Sequence, residues 1–151
     1  MIGTLAVCSW LFLGDSLAVG FARHVPGAVD RAVVGNTPTQ ALKSHKRDLK
    51  ACNGPVLISL GSNALYGNSK QEIAKIRLLV DTALLEAREV VIMPIPAGGK
   101  YLVRAARFNE AFRSWPDVRV LSDLDRDRCL WKDKIHVKPA CFKLWAKELT
   151  E

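Results

Sequence analysis

The sequence lacks the features that divide a chain into parts. It has no low-complexity tract, no internal repeat, and no linker rich in proline, glycine or serine, so we expect a single domain over residues 1–151. Because 49% of the 151 residues are hydrophobic, that domain can bury a sizeable core without needing disulfides or a structural metal ion. Apolar runs of bilayer-spanning length are also missing, and we expect no transmembrane segment.

Cysteines are few, and none of the four lies in Cys-x-x-Cys spacing or in a histidine pattern suited to zinc. We therefore expect no metal site. Cys8 falls in a predicted core strand, where a reduced thiol packs as a small hydrophobe. Cys129 and Cys141 flank the segment around Asp133 and His136 and could bridge, although a reducing compartment would leave them as thiols.

The first 13 residues are apolar but have no basic segment before them, and they are too short to span a bilayer. We interpret residues 4–13 as a buried strand and not as a signal peptide, because cleavage would remove the strand that presents the motif following it. The expectation is a protein that is cytoplasmic or released without a signal peptide.

The formal net charge is +7, with lysines and arginines scattered from Arg23 to Lys147. Such a surface attracts nucleic acid, acidic glycans and anionic membranes alike, and it is also compatible with no dedicated partner. No predicted helix concentrates cations on one face and no nucleic-acid motif is present, so we expect no nucleic-acid partner. The sequence leaves the oligomeric state open.

Short apolar runs alternate with longer segments of helical period, the pattern of βαβ units around a buried parallel sheet. This predicts the α/β class: a three-layer α/β/α sandwich with a five-stranded parallel sheet. The predicted strands are residues 5–13, 28–34, 56–60, 90–95 and 118–121. The predicted helices are residues 18–24, 39–50, 70–88 (with Ser69 as N-cap), 101–114 and 139–149. Ligands of such sheets bind beyond the carboxyl ends of the strands.

Three of those strand ends carry groups suited to ester chemistry. Ser16, in Gly14-Asp15-Ser16-Leu17, follows the first strand at the start of a helix, whose N-terminus favours developing negative charge. Gly35 follows the second strand with an unshielded N–H, and Asn63 follows the third with a side-chain amide. Both are donors that could stabilise an oxyanion. Taken singly, each is more simply an ordinary turn or cap residue.

Near the C-terminus, Asp133 precedes His136 by three residues. On a turn, this spacing lets the carboxylate hold Nδ1–H and leaves Nε2 to accept a serine proton. A surface ion pair of Asp133 with its flanking lysines is the alternative explanation. The other two histidines, His24 and His45, lie in basic helical surroundings, and we interpret them as solvated surface residues.

Taken in order, these segments resemble the SGNH (GDSL-like) hydrolase family, whose blocks supply in turn a serine, a glycine, an asparagine and a histidine. The resemblance spans nearly the whole chain. The matching segments are Gly14-Asp15-Ser16-Leu17 with Gly20, then Gly35, then Gly61 with Asn63, and last the ten residues from Asp133 to Phe142, which are similar to the family's Asp-Gly-x-His-x-x-Pro-Ala-Gly-Tyr. Ala64 departs from the pattern, which commonly has Asp there, and Lys134 and Cys141 replace usual glycines.

The resemblance implies the flavodoxin-like SGNH hydrolase fold and a serine ester hydrolase. Ser16 would be the nucleophile, His136 the general base and acid, and Asp133 the residue that orients the imidazole. The backbone N–H groups of Ser16 and Gly35 and the Asn63 amide would form the oxyanion hole. The implied mechanism needs no metal and no organic cofactor.

The expected partner is a small-molecule or glycan ester. A chain of this length has little room for the loops of a deep acyl pocket, so we expect short-chain carboxylic esters, chiefly acetyl groups, including O-acetyl groups on a carbohydrate or cell-wall polymer. Two alternatives stay open: a lysophospholipase- or thioesterase-type acyl hydrolase, and a non-catalytic SGNH-fold module for glycan binding or assembly.

Overall fold

Five short apolar segments form one parallel sheet in this computed structural model, which describes residues 6–86 and 88–151. The strands are β1 (Leu11–Gly14), β2 (Val29–Asp30), β3 (Val56–Ser59), β4 (Val90–Ile92) and β5 (Arg119–Val120). Their order across the sheet is β2-β1-β3-β4-β5, and every pair is parallel. The predicted five-stranded parallel sheet is confirmed.

Helices cover both faces of this sheet. They are α1 (Ser16–Ala22), α2 (Pro38–Asp48), α3 (Ser69–Leu85), α4 (Leu102–Ser114), α5 (Arg126–Cys129) and α6 (Pro139–Thr150), with 3₁₀ turns at Ser62–Ala64 and Gly99–Tyr101. Side chains of β1 alternate between two buried clusters: Leu11 and Leu13 pack with α2, α3 and α4, whereas Phe12 packs with α1 and α6. The three-layer α/β/α sandwich is therefore confirmed.

All five strands are shorter than predicted, and β1 and β2 differ most from their predicted ranges. β1 begins at Leu11 instead of residue 5, because pairing with the chain that leads into β3 is reduced before Leu11 to an isolated bridge between Val7 and Asn53, and Val7 is 85% exposed. Residues 4 and 5 of the predicted strand lie outside the described residues. β2 ends at Asp30, whose carboxylate accepts the N–H of Ala32 at 2.9 Å. The chain beyond Asp30 stays beside β1, because the N–H groups of Arg31 and Val33 donate to the carbonyls of Phe12 and Gly14, and the Val33 side chain is exposed.

Helix ends also differ from the predictions. The N-cap of α3 is Asn68, whose side chain accepts the N–H of Gln71, so the prediction of Ser69 as N-cap is wrong by one residue. This helix ends at Leu85, before the predicted end at residue 88. The guanidinium of Arg88 is buried and donates to backbone carbonyls in the segment that leads into β3. Helix α5 was not predicted, because it is only four residues long.

The four cysteines form two disulfides, Cys8–Cys52 and Cys129–Cys141. The prediction of a reduced Cys8 is wrong: parallel pairing of β1 with β3 brings the chain before each strand together, which sequence spacing does not reveal. The second bridge was left open by the sequence. Disulfides are typical of oxidising compartments, and the cytoplasmic location stays a prediction. No helix in the two described ranges has the length and apolarity needed to cross a membrane.

Candidate active site

The site lies at the carboxyl edge of the sheet, between β1 and β3. The chain runs from β1 outward to β2 and then returns to continue on the other side of β1 through β3, β4 and β5. Such a reversal of strand order opens a crevice in which ligands of doubly wound sheets bind. The turns that follow β1, β2 and β3 and the loop before α6 converge there.

The turn after β1 presents Ser16. Gly14 has a φ of +128°, and a Cβ at this position would lie 1.9 Å from the Ser59 carbonyl oxygen, so only glycine fits. Asp15 then caps α1: its Oδ1 accepts the N–H of Leu17 at 3.1 Å and the hydroxyl of Ser59 at 2.9 Å. Ser16 is therefore the first residue of the helix, half-buried at the edge of the sheet.

The structure brings the three predicted catalytic side chains into one line. Ser16 Oγ lies 3.4 Å from His136 Nε2, and His136 Nδ1 lies 2.5 Å from Asp133 Oδ2. The first contact is long for a hydrogen bond, and catalytic hydrogen bonds of this kind tighten when substrate binds. Asp133 Oδ1 also accepts the backbone N–H groups of Ile135 and His136, at 3.0 Å each.

These bonds determine the charge of Asp133. Its partial burial acts to raise the pKa, but the hydrogen bonds from His136 and from the two backbone N–H groups lower the pKa of Asp133 to about 2. The carboxylate is therefore ionised at neutral pH and accepts a proton-bearing Nδ1. A neutral imidazole in that tautomer has its free electron pair on Nε2, facing the serine hydroxyl.

Several contacts hold the loop that carries this pair. The Cys129–Cys141 disulfide closes it, Leu130 pairs with Val137 in an antiparallel bridge, and the carbonyl of Lys134 accepts the N–H of Gly98. Lys134 has a φ of +61°, in the left-handed region that favours glycine. Glycine, which has no Cβ, adopts this conformation more readily than lysine.

Two of the predicted oxyanion donors, Gly35 and Asn63, lie in the turns after β2 and β3. Gly35 is exposed, with a φ of +79°, and Asn63 is exposed in the 3₁₀ turn after β3. One hydrogen of the Asn63 amide goes to the Asn36 carbonyl at 3.0 Å, which leaves the second hydrogen available. Within the described part of the chain, the N–H groups of Ser16 and Gly35 donate to no acceptor.

Sequence reasoning missed the residues beneath the site. The interpretation of His45 as a solvated surface residue is wrong, because its side chain is 0% exposed. Its Nε2 accepts the backbone N–H of Gly14 at 3.0 Å, and its Nδ1 lies 2.8 Å from Asp48 Oδ2. The signal was present in the sequence: His45 and Asp48 have the same three-residue spacing as Asp133 and His136. His24 is half-buried, and its ring stacks 6.0 Å from that of Phe142.

Two clefts open at this edge. The nucleophile cleft, of about 310 Å³, is lined by residues that include Ser16, Arg23, His24, Trp131, His136 and Phe142. The asparagine cleft, of about 460 Å³, is lined by residues that include Thr37, Asn63, Leu65, Tyr66, Tyr101 and Ile135. Cations lie over aromatic rings in both, with Arg104 4.7 Å from the Tyr66 centroid and Lys138 5.4 Å from the Trp131 centroid.

No protein-family model and no curated protein matches the sequence. Several solved structures match the fold of this chain. An acetyl xylan esterase superposes with a TM-score of 0.77 over 94% of this chain and 98% of its own, at 12% identity. The C-terminal catalytic domain of peptidoglycan O-acetyltransferase A from Streptococcus pneumoniae gives 0.73 over 97% and 92%, at 18% identity. A GDSL-like lipase from Bacteroides thetaiotaomicron gives 0.73 over 93% and 86%, also at 18% identity.

The chain has the SGNH hydrolase fold. At these identities the likeness establishes the fold alone. In this SGNH fold, Ser16, Gly35, Asn63 and His136 come from the turns after the first three strands and from the loop before the last helix, and the structure brings all four segments to one edge of the sheet.

Proposed function

We propose that this protein is a carboxylic ester hydrolase that works through Ser16, His136 and Asp133. The observation that carries the proposal is the line of contacts from the Ser16 hydroxyl through both ring nitrogens of His136 to an ionised carboxylate, at the start of a helix. A serine hydroxyl is a weak nucleophile unless a base accepts its proton, and this geometry supplies the base and fixes its tautomer.

The proposed reaction has two halves. Ser16 Oγ attacks the ester carbonyl while His136 Nε2 accepts the hydroxyl proton, and the tetrahedral intermediate then expels the alcohol, which takes that proton. This leaves an acyl group on Ser16. Water, giving a proton to His136, attacks the acyl carbonyl, and collapse releases the carboxylic acid and restores the serine hydroxyl. Ionised Asp133 stabilises the imidazolium in both halves.

We assign stabilisation of the oxyanion in each half to three donors: the N–H groups of Ser16 and Gly35 and the second hydrogen of the Asn63 amide. The first two have no partner within the described residues, and the third belongs to an amide already anchored on Asn36. Each preorganised donor of this kind contributes about 10²–10³-fold to kcat. Ser16 also lies at the N-terminus of α1, where the partial positive charge of the helix end favours the negative charge of the oxyanion.

For the substrate, we propose a short-chain ester, chiefly an acetyl ester on a carbohydrate. The two clefts are open and small, which favours a small acyl group over a long chain. The faces of Tyr66 and Trp131, each beside a cation, are of the kind on which sugar rings pack. Two of the structural neighbours are named for acetyl transfer or acetyl xylan, which supports the same choice.

The test is hydrolysis of p-nitrophenyl esters from acetate to dodecanoate, together with acetylated oligosaccharides. We expect the highest kcat/KM for acetate and loss of turnover in Ser16→Ala, with an unchanged melting temperature. A fluorophosphonate probe should label the wild type but not Ser16→Ala. The control is Ser114→Ala, which removes an exposed hydroxyl at the end of α4 and should keep both activity and labelling.

Each outcome decides between the alternatives. Full turnover in Ser16→Ala would exclude the mechanism. No Ser16-dependent labelling in the wild type would favour a non-catalytic binding module. A preference for long acyl chains would keep the hydrolase but replace the acetyl substrate with that of a lysophospholipase- or thioesterase-type enzyme.

A further inference from the structure

A second histidine–carboxylate pair lies beneath the proposed active site. His45, on α2, is completely buried, and its Nε2 accepts from the backbone N–H of Gly14. A backbone N–H can only donate, so Nε2 carries the electron pair and the ring proton is on Nδ1. That proton is donated to Asp48 Oδ2 at 2.8 Å. The imidazole of His45 is therefore neutral and held in one tautomer.

Asn36 joins this pair to the turn after β2. One hydrogen of its amide goes to the Gly14 carbonyl at 3.1 Å, and the other goes to His45 Nε2 at 3.0 Å. The Asn36 side chain is thus fixed on both its amide hydrogens, and the residue is 4% exposed. Its backbone carbonyl in turn accepts the Asn63 amide.

One ring nitrogen therefore connects all the segments that present the proposed oxyanion donors. Gly14 is two residues before Ser16, and both its N–H and its carbonyl are engaged by His45 and Asn36. Asn36 directly follows Gly35 and anchors Asn63. A substitution at His45 would therefore displace all three donors together: the N–H of Ser16, the N–H of Gly35 and the Asn63 amide.

We infer that His45 is a positioning residue of this site. It fixes the distance between the turn after β1, which presents Ser16, and the turn after β2, which carries Gly35 and anchors the Asn63 amide. The inference rests on the proposed function. His45 touches no substrate and transfers no proton, because its Nε2 is occupied by two donors and its Nδ1 by Asp48. Its contribution is to keep the oxyanion donors aimed, and a shift of a fraction of an ångström weakens such donors.

The central experiment compares His45→Leu with His45→Gln. Leucine has a similar volume but no acceptor for the Gly14 N–H, whereas the glutamine carbonyl oxygen can take the place of Nε2. We expect His45→Leu to lower kcat about 10- to 100-fold with KM within about twofold, because the donors act on the transition state more than on bound substrate. His45→Gln should recover most of that loss.

A double-mutant cycle with Asn63→Ala separates positioning from a general loss of structure. If His45 acts through the Asn63 amide, His45→Leu costs much less in an Asn63→Ala background than in the wild type. The matched control is Leu49→Ala, a buried change at the C-terminal end of α2 that touches none of the donors. It should lower the melting temperature and leave kcat and the cost of Asn63→Ala unchanged.

Three results would overturn the inference. The first is a wild-type kcat in folded His45→Leu, and the second is a double mutant in which the two losses in kcat multiply fully. In both cases, Ser16-dependent hydrolysis by the wild type would leave the proposed function intact. Absence of that hydrolysis in the wild type overturns both. If His45→Leu does not fold, Asp48→Ala takes its place in the cycle, with an expected loss of about 3- to 10-fold in kcat. If the losses in kcat of Asp48→Ala and Asn63→Ala then multiply fully in the double mutant, the inference is overturned.

Discussion

Ser16 and His136 are 120 positions apart in the chain and meet at one edge of the sheet, but their surroundings differ. Beneath Ser16 lie polar groups removed from water: Asp15, Asn36 and His45 are 0%, 4% and 0% exposed. The side chains of His136 and Asp133 are 53% and 45% exposed, on a loop outside the sheet. The nucleophile side is held by buried hydrogen bonds, whereas the base side is held by a covalent bridge and a few backbone contacts.

The buried and exposed sides of the site also differ in the ionisation of their carboxylates, Asp15 and Asp133. Burial raises the pKa of Asp15 to about 6, although hydrogen bonds from Ser59 and the backbone act to lower it. At Asp133 the hydrogen bonds outweigh desolvation, and its pKa falls to about 2. A carboxylate that must stabilise an imidazolium has to stay charged, and Asp133 meets that condition. Asp15 serves the fold by capping α1 and anchoring Ser59, in a place where charge is costly.

The largest effect on stability should come from removing the disulfides one at a time. Loops closed over 44 and 12 positions reduce the freedom of the unfolded chain by amounts worth about 4 and about 3 kcal/mol, respectively. We expect Cys8→Ser/Cys52→Ser to lower the free energy of unfolding more. Only Cys129→Ser/Cys141→Ser should also lower kcat, because that bridge closes the loop that carries His136. Chemical denaturation and steady-state kinetics measure the two effects.

Each double substitution is the control for the other. Equal losses of kcat in both would mean that the activity follows global stability and not the loop. An unchanged kcat in Cys129→Ser/Cys141→Ser would show that the bridge between Leu130 and Val137 and the contact of Lys134 with Gly98 suffice to hold the base.

The next effect concerns Asp15 and pH. Since its folded pKa is above the usual value of 3.8, the unfolded chain releases this proton first as pH rises. The contribution of Asp15 to stability is therefore fully present below about pH 4 and is lost as pH rises through about 6. At roughly 1.4 kcal/mol per unit, the change is about 3 kcal/mol.

Asp15→Asn removes this titration and keeps an oxygen that can accept from Leu17 and Ser59. The free energy of unfolding of the wild type, measured relative to Asp15→Asn by urea denaturation at several pH values, should fall between pH 4 and pH 7. All other titrating groups cancel in that difference. Parallel pH profiles for the two proteins would show that folding leaves the pKa of Asp15 at its unfolded value.

The sequence predicted the exposed half of the site better than the buried half. Ser16, Asp133 and His136 were found because strand ends and three-residue spacing are local patterns, and the parallel sheet followed from the alternation of apolar runs. His45, Asn36 and the Cys8–Cys52 bridge were missed because their roles depend on which segments become neighbours in the sheet. The three-residue spacing of His45 and Asp48 indicates a pair, but the burial of His45 depends on the tertiary contact with Gly14, which the flanking residues do not show.

The smallest effect, and the one that tests how the base loop is held, is expected for Lys134→Gly. Lys134 has a left-handed backbone, which costs a residue with a side chain about 1–2 kcal/mol, whereas glycine adopts it freely but loses more entropy on folding. The net gain in stability should be about 0.5–1 kcal/mol. Because the carbonyl of residue 134 still accepts from Gly98, kcat should stay within about twofold. Lys132→Gly, a change at a neighbouring exposed lysine with no positive φ, should stabilise nothing. If Lys134→Gly stabilises the protein but lowers kcat, the lysine side chain itself contributes to the loop or to the substrate, and the exposed half of the site depends on more than its backbone.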